Sequence, residues 1–177
     1  MEEQRVHIYS GIRSEFKRQV LLRGAGWALL GGGMLLLGGM YIPTAIMSYI
    51  GLPFLLIGLG LISYGLVPYR RLVQIEAQPH EIIIGDDRTL HYFAGVKEML
   101  SVPLWVIERV SYCDEAIGHY GIVVDLKENG WEQVTVHRRT LSLKRYIAET
   151  HRRYGCDLYF PYFSQRSYKE VLATLQA

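Results

Sequence analysis

Polar and apolar residues are distributed unevenly along this chain. Residues 24–69 contain no Asp, Glu, Lys, Arg or His, while the flanks mix charged and apolar positions at short spacing. A bilayer core ~30 Å thick is crossed by about 20 helical residues. The uncharged stretch is therefore long enough for two membrane spans and too long for one buried core helix. Tyr41-Ile42-Pro43-Thr44 offers a break, because proline lacks a backbone donor and starts a helix well. The expected spans are residues 21–42 and 44–68. So short a connection makes them an antiparallel hairpin, occupying 21–69. A cleaved signal peptide does not fit, because the apolar stretch begins only after a polar lead-in and runs on too far.

Residues 1–20 form the expected cytoplasmic lead-in. Ile12, Phe16 and Val20 recur at four-residue spacing among Arg13, Lys17 and Arg18. That pattern suits an amphipathic helix at the membrane interface, or a plain basic flank. Residues 70–177 are the expected cytoplasmic domain, long enough for one small core. Their first two-thirds reads as six or seven short antiparallel strands, including 72–76, 81–84, 89–93, 96–102 and 109–113. Gly85-Asp86-Asp87-Arg88 and Gly95 mark turns, and Pro103 ends a strand. Residues 120–128 and 131–137 read as a hairpin around Asn129-Gly130, with Lys127 opposite Glu132. The period then becomes helical. Leu143, Tyr146, Ile147, Thr150 and Tyr154 share one stripe, and Gly155 is placed to end the helix. A second short helix is expected over 165–175. Phe163 and Tyr168 would staple its start around Ser164, and Ser167 with Glu170 would form a capping box.

Within the apolar segment the glycines are periodic. Gly24, Gly31 and Gly38 recur every seven residues in the first span, and Gly51, Gly58 and Gly65 do so in the second. A membrane helix tolerates glycine, since its backbone must stay hydrogen-bonded, and glycine lets helices approach closely. These six are the candidate helix-packing residues, on the hairpin itself or on a partner helix. Ordinary glycine enrichment of membrane spans is the alternative. Gly31-Gly32-Gly33 is no phosphate loop, for it lacks the following Lys-Ser or Lys-Thr.

Composition narrows the classes further. The chain has 177 residues, half of them apolar, 20% charged residues, two cysteines and a net charge of +2. These values exclude a disordered protein, a disulfide scaffold and a dedicated nucleic-acid binder. Arg5, Arg13, Lys17, Arg18 and Arg23 precede the apolar run, Arg70 and Arg71 follow it, and its middle carries no charge. The positive-inside rule then puts both termini in the cytoplasm. In that compartment Cys113 and Cys156 are expected as free thiols.

No local motif carries catalysis, a metal or a cofactor. The histidines at 7, 80, 91, 119, 137 and 151 lack metal-ligand spacing on a helix, although His91, His119 and His137 could converge from adjacent strands. Serine-hydrolase elbows and dinucleotide fingerprints are absent. Asp114 and Glu115 would point to opposite faces of a strand. The candidate lipid- or partner-binding residues are Arg138, Arg139, Lys144, Arg145, Arg152 and Arg153, six cations set against Glu149. A solvated helix face with a Glu149–Arg153 pair is the bland alternative.

The layout, together with Val102-Pro103-Leu104-x-x-Ile107-x-x-Val110, resembles the bacterial pleckstrin-homology-like membrane proteins that carry a two-helix hairpin. The resemblance implies a bacterial inner-membrane location. It also implies a small antiparallel sheet or barrel closed by the amphipathic helix at 143–154, with the last helix as an addition. The expected function is a non-catalytic, membrane-anchored interaction module: a scaffold, assembly factor or accessory subunit. Its partners would be other integral membrane proteins, with anionic lipid headgroups as a second candidate. Two other classes stay open: a lipid-handling protein or enzyme whose site assembles from dispersed strand residues, and a transport subunit contributing only helices.

Overall fold

A computed structural model of the chain describes residues 6–41, 51–137 and 142–176. The chain divides into two units, one of Ser14–Gln74 and one of Met1–Arg13 with Ile75–Ala177.

The first unit holds two long helices, α1 (Ser14–Tyr41) and α2 (Leu52–Ala77). Both are long and apolar enough to cross a membrane, with mean hydropathy of 1.6 and 1.7 over their most apolar windows. The break expected near Pro43 lies outside the described residues. Residues 72–76, expected as a strand, are helical instead: α2 runs past Pro68 to Ala77. Extending an existing helix adds one bond for each residue ordered, whereas a new strand needs a partner edge.

The second unit is built from eight described strands in two antiparallel sheets, not a closed barrel. They are β1 (Val6–Tyr9), β2 (Glu81–Ile84), β3 (Thr89–Ala94), β4 (Lys97–Pro103), β5 (Ile107–Ala116), β6 (His119–Leu126), β7 (Thr135–Val136) and β8 (Leu158–Pro161). One sheet runs β1-β2-β3-β4-β7 and the other β5-β6-β8. Two helices complete the unit, α3 (Leu143–Tyr154) and α4 (Gln165–Gln176).

Alternation explains the first sheet. Ile82 and Ile84 of β2, Leu90 and Tyr92 of β3, and Ile8 of β1 point into one core with Val110, Ile122, Val124, Phe160 and Val171. The first part of the lead-in is strand, while Phe16 and Val20 lie in α1, which continues into the first apolar stretch. Val6–Tyr9 pairs with β2 from Val6↔Ile84 to Tyr9↔Glu81, and α1 begins only at Ser14. Burying Ile8 contributes roughly 1.5–3 kcal/mol that a surface helix would forgo.

The expected hairpin at Asn129-Gly130 is also corrected. Asn129 does take the left-handed conformation, with φ of 60°, but Gly130–Gln133 continues as a 3-10 turn. Strand β6 is central, and both its edges are already taken by β5 and β8. Residues 131–137 therefore find no free edge there, and Thr135–Val136 pairs with β4. Lys127 donates to the Trp105 carbonyl rather than facing Glu132.

Helix α3 matches its stripe, and Gly155 caps it with φ of 65°. At α4 the Ser164 hydroxyl accepts the Ser167 amide, while Glu170 pairs with Arg166, so the cap is Ser164 and not a Ser167–Glu170 box. Helix α4 packs on β1, β5 and β6, so it bridges the two sheets, and α3 packs on β8. Both helices cover the core: Leu143, Tyr146 and Ile147 of α3 pack against it, as do Tyr168, Val171 and Leu175 of the last helix, which the sequence-based expectation had only as an addition.

Candidate functional site

In the helical unit the glycine periodicity becomes a packing register. Gly24 meets Gly65 and Gly31 meets Gly58, backbone against backbone. A Cβ at Gly31 would lie 2.6 Å from the Gly58 carbonyl oxygen, which nothing short of helix separation relieves. The two pairs step by seven residues in opposite directions, an antiparallel register. Gly24, Gly31, Gly38, Gly58 and Gly65 are buried and Gly51 is half-buried. Trp27 and Tyr64 meet edge to face beside this seam, with centroids 5.7 Å apart. The described glycines outside this stripe behave differently. A Cβ on Gly26, Gly32, Gly33, Gly39 or Gly60 would meet nothing within 4 Å.

The basic cluster is only partly assembled. Arg138 and Arg139 lie outside the described residues. On α3 the Lys144 ammonium sits over the Trp131 ring, 5.2 Å from its centroid, and Arg153 pairs with Glu149 at 2.8 Å. Arg145 and Arg152 are exposed. His151, on the same face, pairs with Asp157 at 2.6 Å. The free positive charge of the helix is therefore smaller than the residue types imply.

Of the three histidines considered across strands, His91 and His137 converge, while His119 lies apart beside the Tyr154 ring. Glu98 sits between the first two. His91 Nδ1 is 2.6 Å from its carboxylate, the Ser101 hydroxyl donates to it at 2.8 Å, and His137 Nε2 lies 2.7 Å from the Ser101 oxygen. Burial works to raise the Glu98 carboxyl. Hydrogen bonds from His91 and Ser101, with the charge of both imidazoles, outweigh it and hold the group below the usual range. His91 of β3 and Ser101 of β4 are register partners, and His137, just after β7, is brought beside them by its amide donating to the Met99 carbonyl. Ser101 is 8% exposed and its proton is committed to Glu98. Among the described residues no group of His, Cys, Asp and Glu is arranged to hold a metal ion.

No known protein family, curated protein sequence or solved structure matches the chain.

Sequence reasoning missed a strap between β1 and α1. Arg13 forks onto Asp114 at 2.8 and 2.9 Å and reaches the Tyr112 hydroxyl at 2.9 Å. Its amide donates to the Tyr120 hydroxyl at 2.8 Å, which itself donates to the Gly11 carbonyl at 2.9 Å. The Arg13 guanidinium also covers the Tyr120 ring. The Asp114 carboxyl is held below its ordinary value, chiefly by the hydrogen bond from Arg13. In the sequence Arg13 has the look of a basic flank or of an amphipathic helix's polar face, and no local pattern pairs it with residues so far along the chain. Both cysteines are free: Cys113 is half-buried, and Cys156 is buried with its thiol pushed up to about 12, mainly by burial.

Proposed function

We propose that this protein is a non-catalytic, membrane-anchored interaction module, acting as a scaffold, assembly factor or accessory subunit of a larger complex of integral membrane proteins. The observation that carries this reading is the β1–β2 ladder. The strand before the apolar helices pairs with the strand after them, Tyr9 against Glu81. Two spans return the chain to the side it left, so both flanks can join one sheet. By the positive-inside rule the basic flanks favour the cytoplasm as that side, and the resemblance implies a bacterial inner membrane. Neither helix carries an Asp, Glu, Lys, Arg or His within residues 24–69, which argues against a proton or ion pathway of its own.

The pleckstrin-homology-like identity belongs to the same proposal. Two antiparallel sheets bridged by a C-terminal helix support it, and the strand contributed from before the hairpin departs from the layout that suggested it. Partner helices would dock on the open glycines, Gly26 with Gly33 and Gly32 with Gly39, because the buried stripe is consumed inside the hairpin. Anionic headgroups are the second candidate partner, through exposed Arg145 and Arg152.

Purification of the intact protein in mild detergent tests the module. A membrane protein should co-purify in fixed stoichiometry, and Gly33→Leu should release it while leaving the hairpin assembled. Recovery as a lone monomer, or a complex indifferent to Gly33→Leu, overturns the docking face.

A further inference from the structure

Within the sheet unit, α3 lies beside a cleft of about 390 Å³ whose other walls come from β3, β4 and β8. This falls within the range of small-molecule sites, roughly 300–1,000 Å³. Tyr92 and Ala94 of β3 line one side, Tyr146 and Tyr154 of α3 another, and Tyr159 of β8 a third. The polar tips along α3 are already engaged. The Tyr146 hydroxyl donates to the Tyr159 carbonyl at 2.8 Å, and Thr150 donates to the Asp157 carbonyl at 2.7 Å. What these residues leave for the cleft is chiefly hydrocarbon and aromatic ring.

Two features narrow the occupant. At the edge, Glu149 and Arg153 neutralise each other at 2.8 Å, so the cleft offers neither an anion nor a cation an unpaired countercharge there. On its wall, His80 Nδ1 is 2.7 Å from the Tyr92 hydroxyl, while the second ring nitrogen has no hydrogen-bond partner among the described residues. Burial pushes the His80 imidazole below its ordinary value and the Tyr92 phenol well above its own, so both are neutral at pH 7. The phenol then donates to Nδ1, and Nε2 carries the remaining proton as an open donor.

We propose that this cleft binds a small neutral molecule with an aromatic ring and a carbonyl group, the ring among Tyr92, Tyr146 and Tyr154 and the carbonyl accepting the His80 Nε2 proton. A quaternary ammonium, the other usual guest of aromatic walls, would meet Arg153 and find Glu149 already paired. The site is independent of the anchoring role and stands or falls by itself.

The test is 19F NMR of the intact protein, labelled with 3-fluorotyrosine and held in phosphatidylcholine nanodiscs. The probes are 2-acetylnaphthalene and 2-ethylnaphthalene, alike in shape but differing in the carbonyl. Single Tyr→Phe variants assign the resonances. Saturable shifts are expected for Tyr92, Tyr146 and Tyr154, with none at exposed Tyr9. The acetyl probe should bind about tenfold tighter than the ethyl probe, and His80→Phe should remove that preference while the ethyl probe still binds. Ala94→Trp, which fills the cleft from β3, should abolish saturable shifts for both. Unsaturable shifts spread equally over Tyr9 and Tyr64 would mean partition into lipid and overturn the site. Equal affinities unaffected by His80→Phe would overturn the carbonyl contact. Should His80→Phe fail to fold, the acetyl-to-ethyl ratio in the natural protein and the Ala94→Trp result decide the matter.

Discussion

The two units of this protein are held together by opposite means. In the helical hairpin the closest contacts are made where side chains are missing, at Gly24–Gly65 and Gly31–Gly58, and no charge takes part. In the sheet unit the contacts are made by large side chains: Phe160, Phe163, Tyr120 and the branched aliphatics are fully buried, and an Arg–Asp–Tyr strap ties its first strand down. Solvent explains the contrast. In water, burial of apolar area drives the packing. In lipid the tails are as apolar as leucine, and close approach of backbones is what remains to be gained. Enlarging a residue should therefore damage the hairpin, and truncating one should damage the sheets.

The largest effect is expected from truncation in the sheet core. Phe160 is fully buried and packs on Tyr92 at a centroid distance of 4.7 Å. Phe160→Ala should cost about 3–5 kcal/mol in denaturant unfolding followed by sheet signals. The matching truncation on the exposed face of α1, Leu36→Ala, should change little, since Leu36 is 70% exposed.

Enlargement should reverse the order. Gly31→Leu drives a side chain into the Gly58 backbone and should weaken hairpin packing by about 1–3 kcal/mol, read as increased inter-helix spin-label distances. Gly33→Leu, two positions along, should leave those distances unchanged. An equal effect of the two substitutions would remove the distinction between packed and open glycines.

The strap gives an intermediate effect. Tyr120→Phe leaves the core volume intact but removes the hydroxyl shared by the Arg13 amide and the Gly11 carbonyl. A loss of about 1–2 kcal/mol is expected, with faster hydrogen exchange at the Arg13 amide. The smallest effect concerns pH. The folded Glu98 carboxyl titrates below its unfolded value, so its contribution is full above the unfolded value and is lost as pH falls through the folded one. Glu98→Gln should flatten that acid limb below about pH 4.5 and leave the profile near pH 7 alone. An unchanged acid limb would mean that Glu98 is not held by its neighbours.

What the chain reveals before folding tracks how local each cause is. Two apolar helices, the Gly85–Arg88 and Gly95 turns, the α3 stripe and its Gly155 cap are all set by neighbours within a few residues, and the structure has them. Strand pairing is not local. Residues 131–137 look like the second arm of a hairpin until β5 and β8 are seen to occupy both edges of β6. Val6–Tyr9 is too short to announce itself, and its partner lies beyond both helices. The same limit applies to sites. The seven-residue glycine repeat marks a packing face, yet which glycines face inward depends on the partner helix. His91 and His137 meet because β7 pairs with β4 in one register, and the cleft beside α3 needs four elements at once.

The central claim is that the apolar segment crosses the membrane twice, leaving both flanks on one side to form a single sheet. Cysteine accessibility in intact cells tests it directly, using Glu2→Cys, Thr44→Cys and Ala177→Cys in a chain whose Cys113 and Cys156 are replaced by serine. A membrane-impermeant maleimide should label Thr44→Cys in intact cells and the other two only after permeabilisation. Labelling of Glu2→Cys and Ala177→Cys from opposite sides of the membrane would contradict the account.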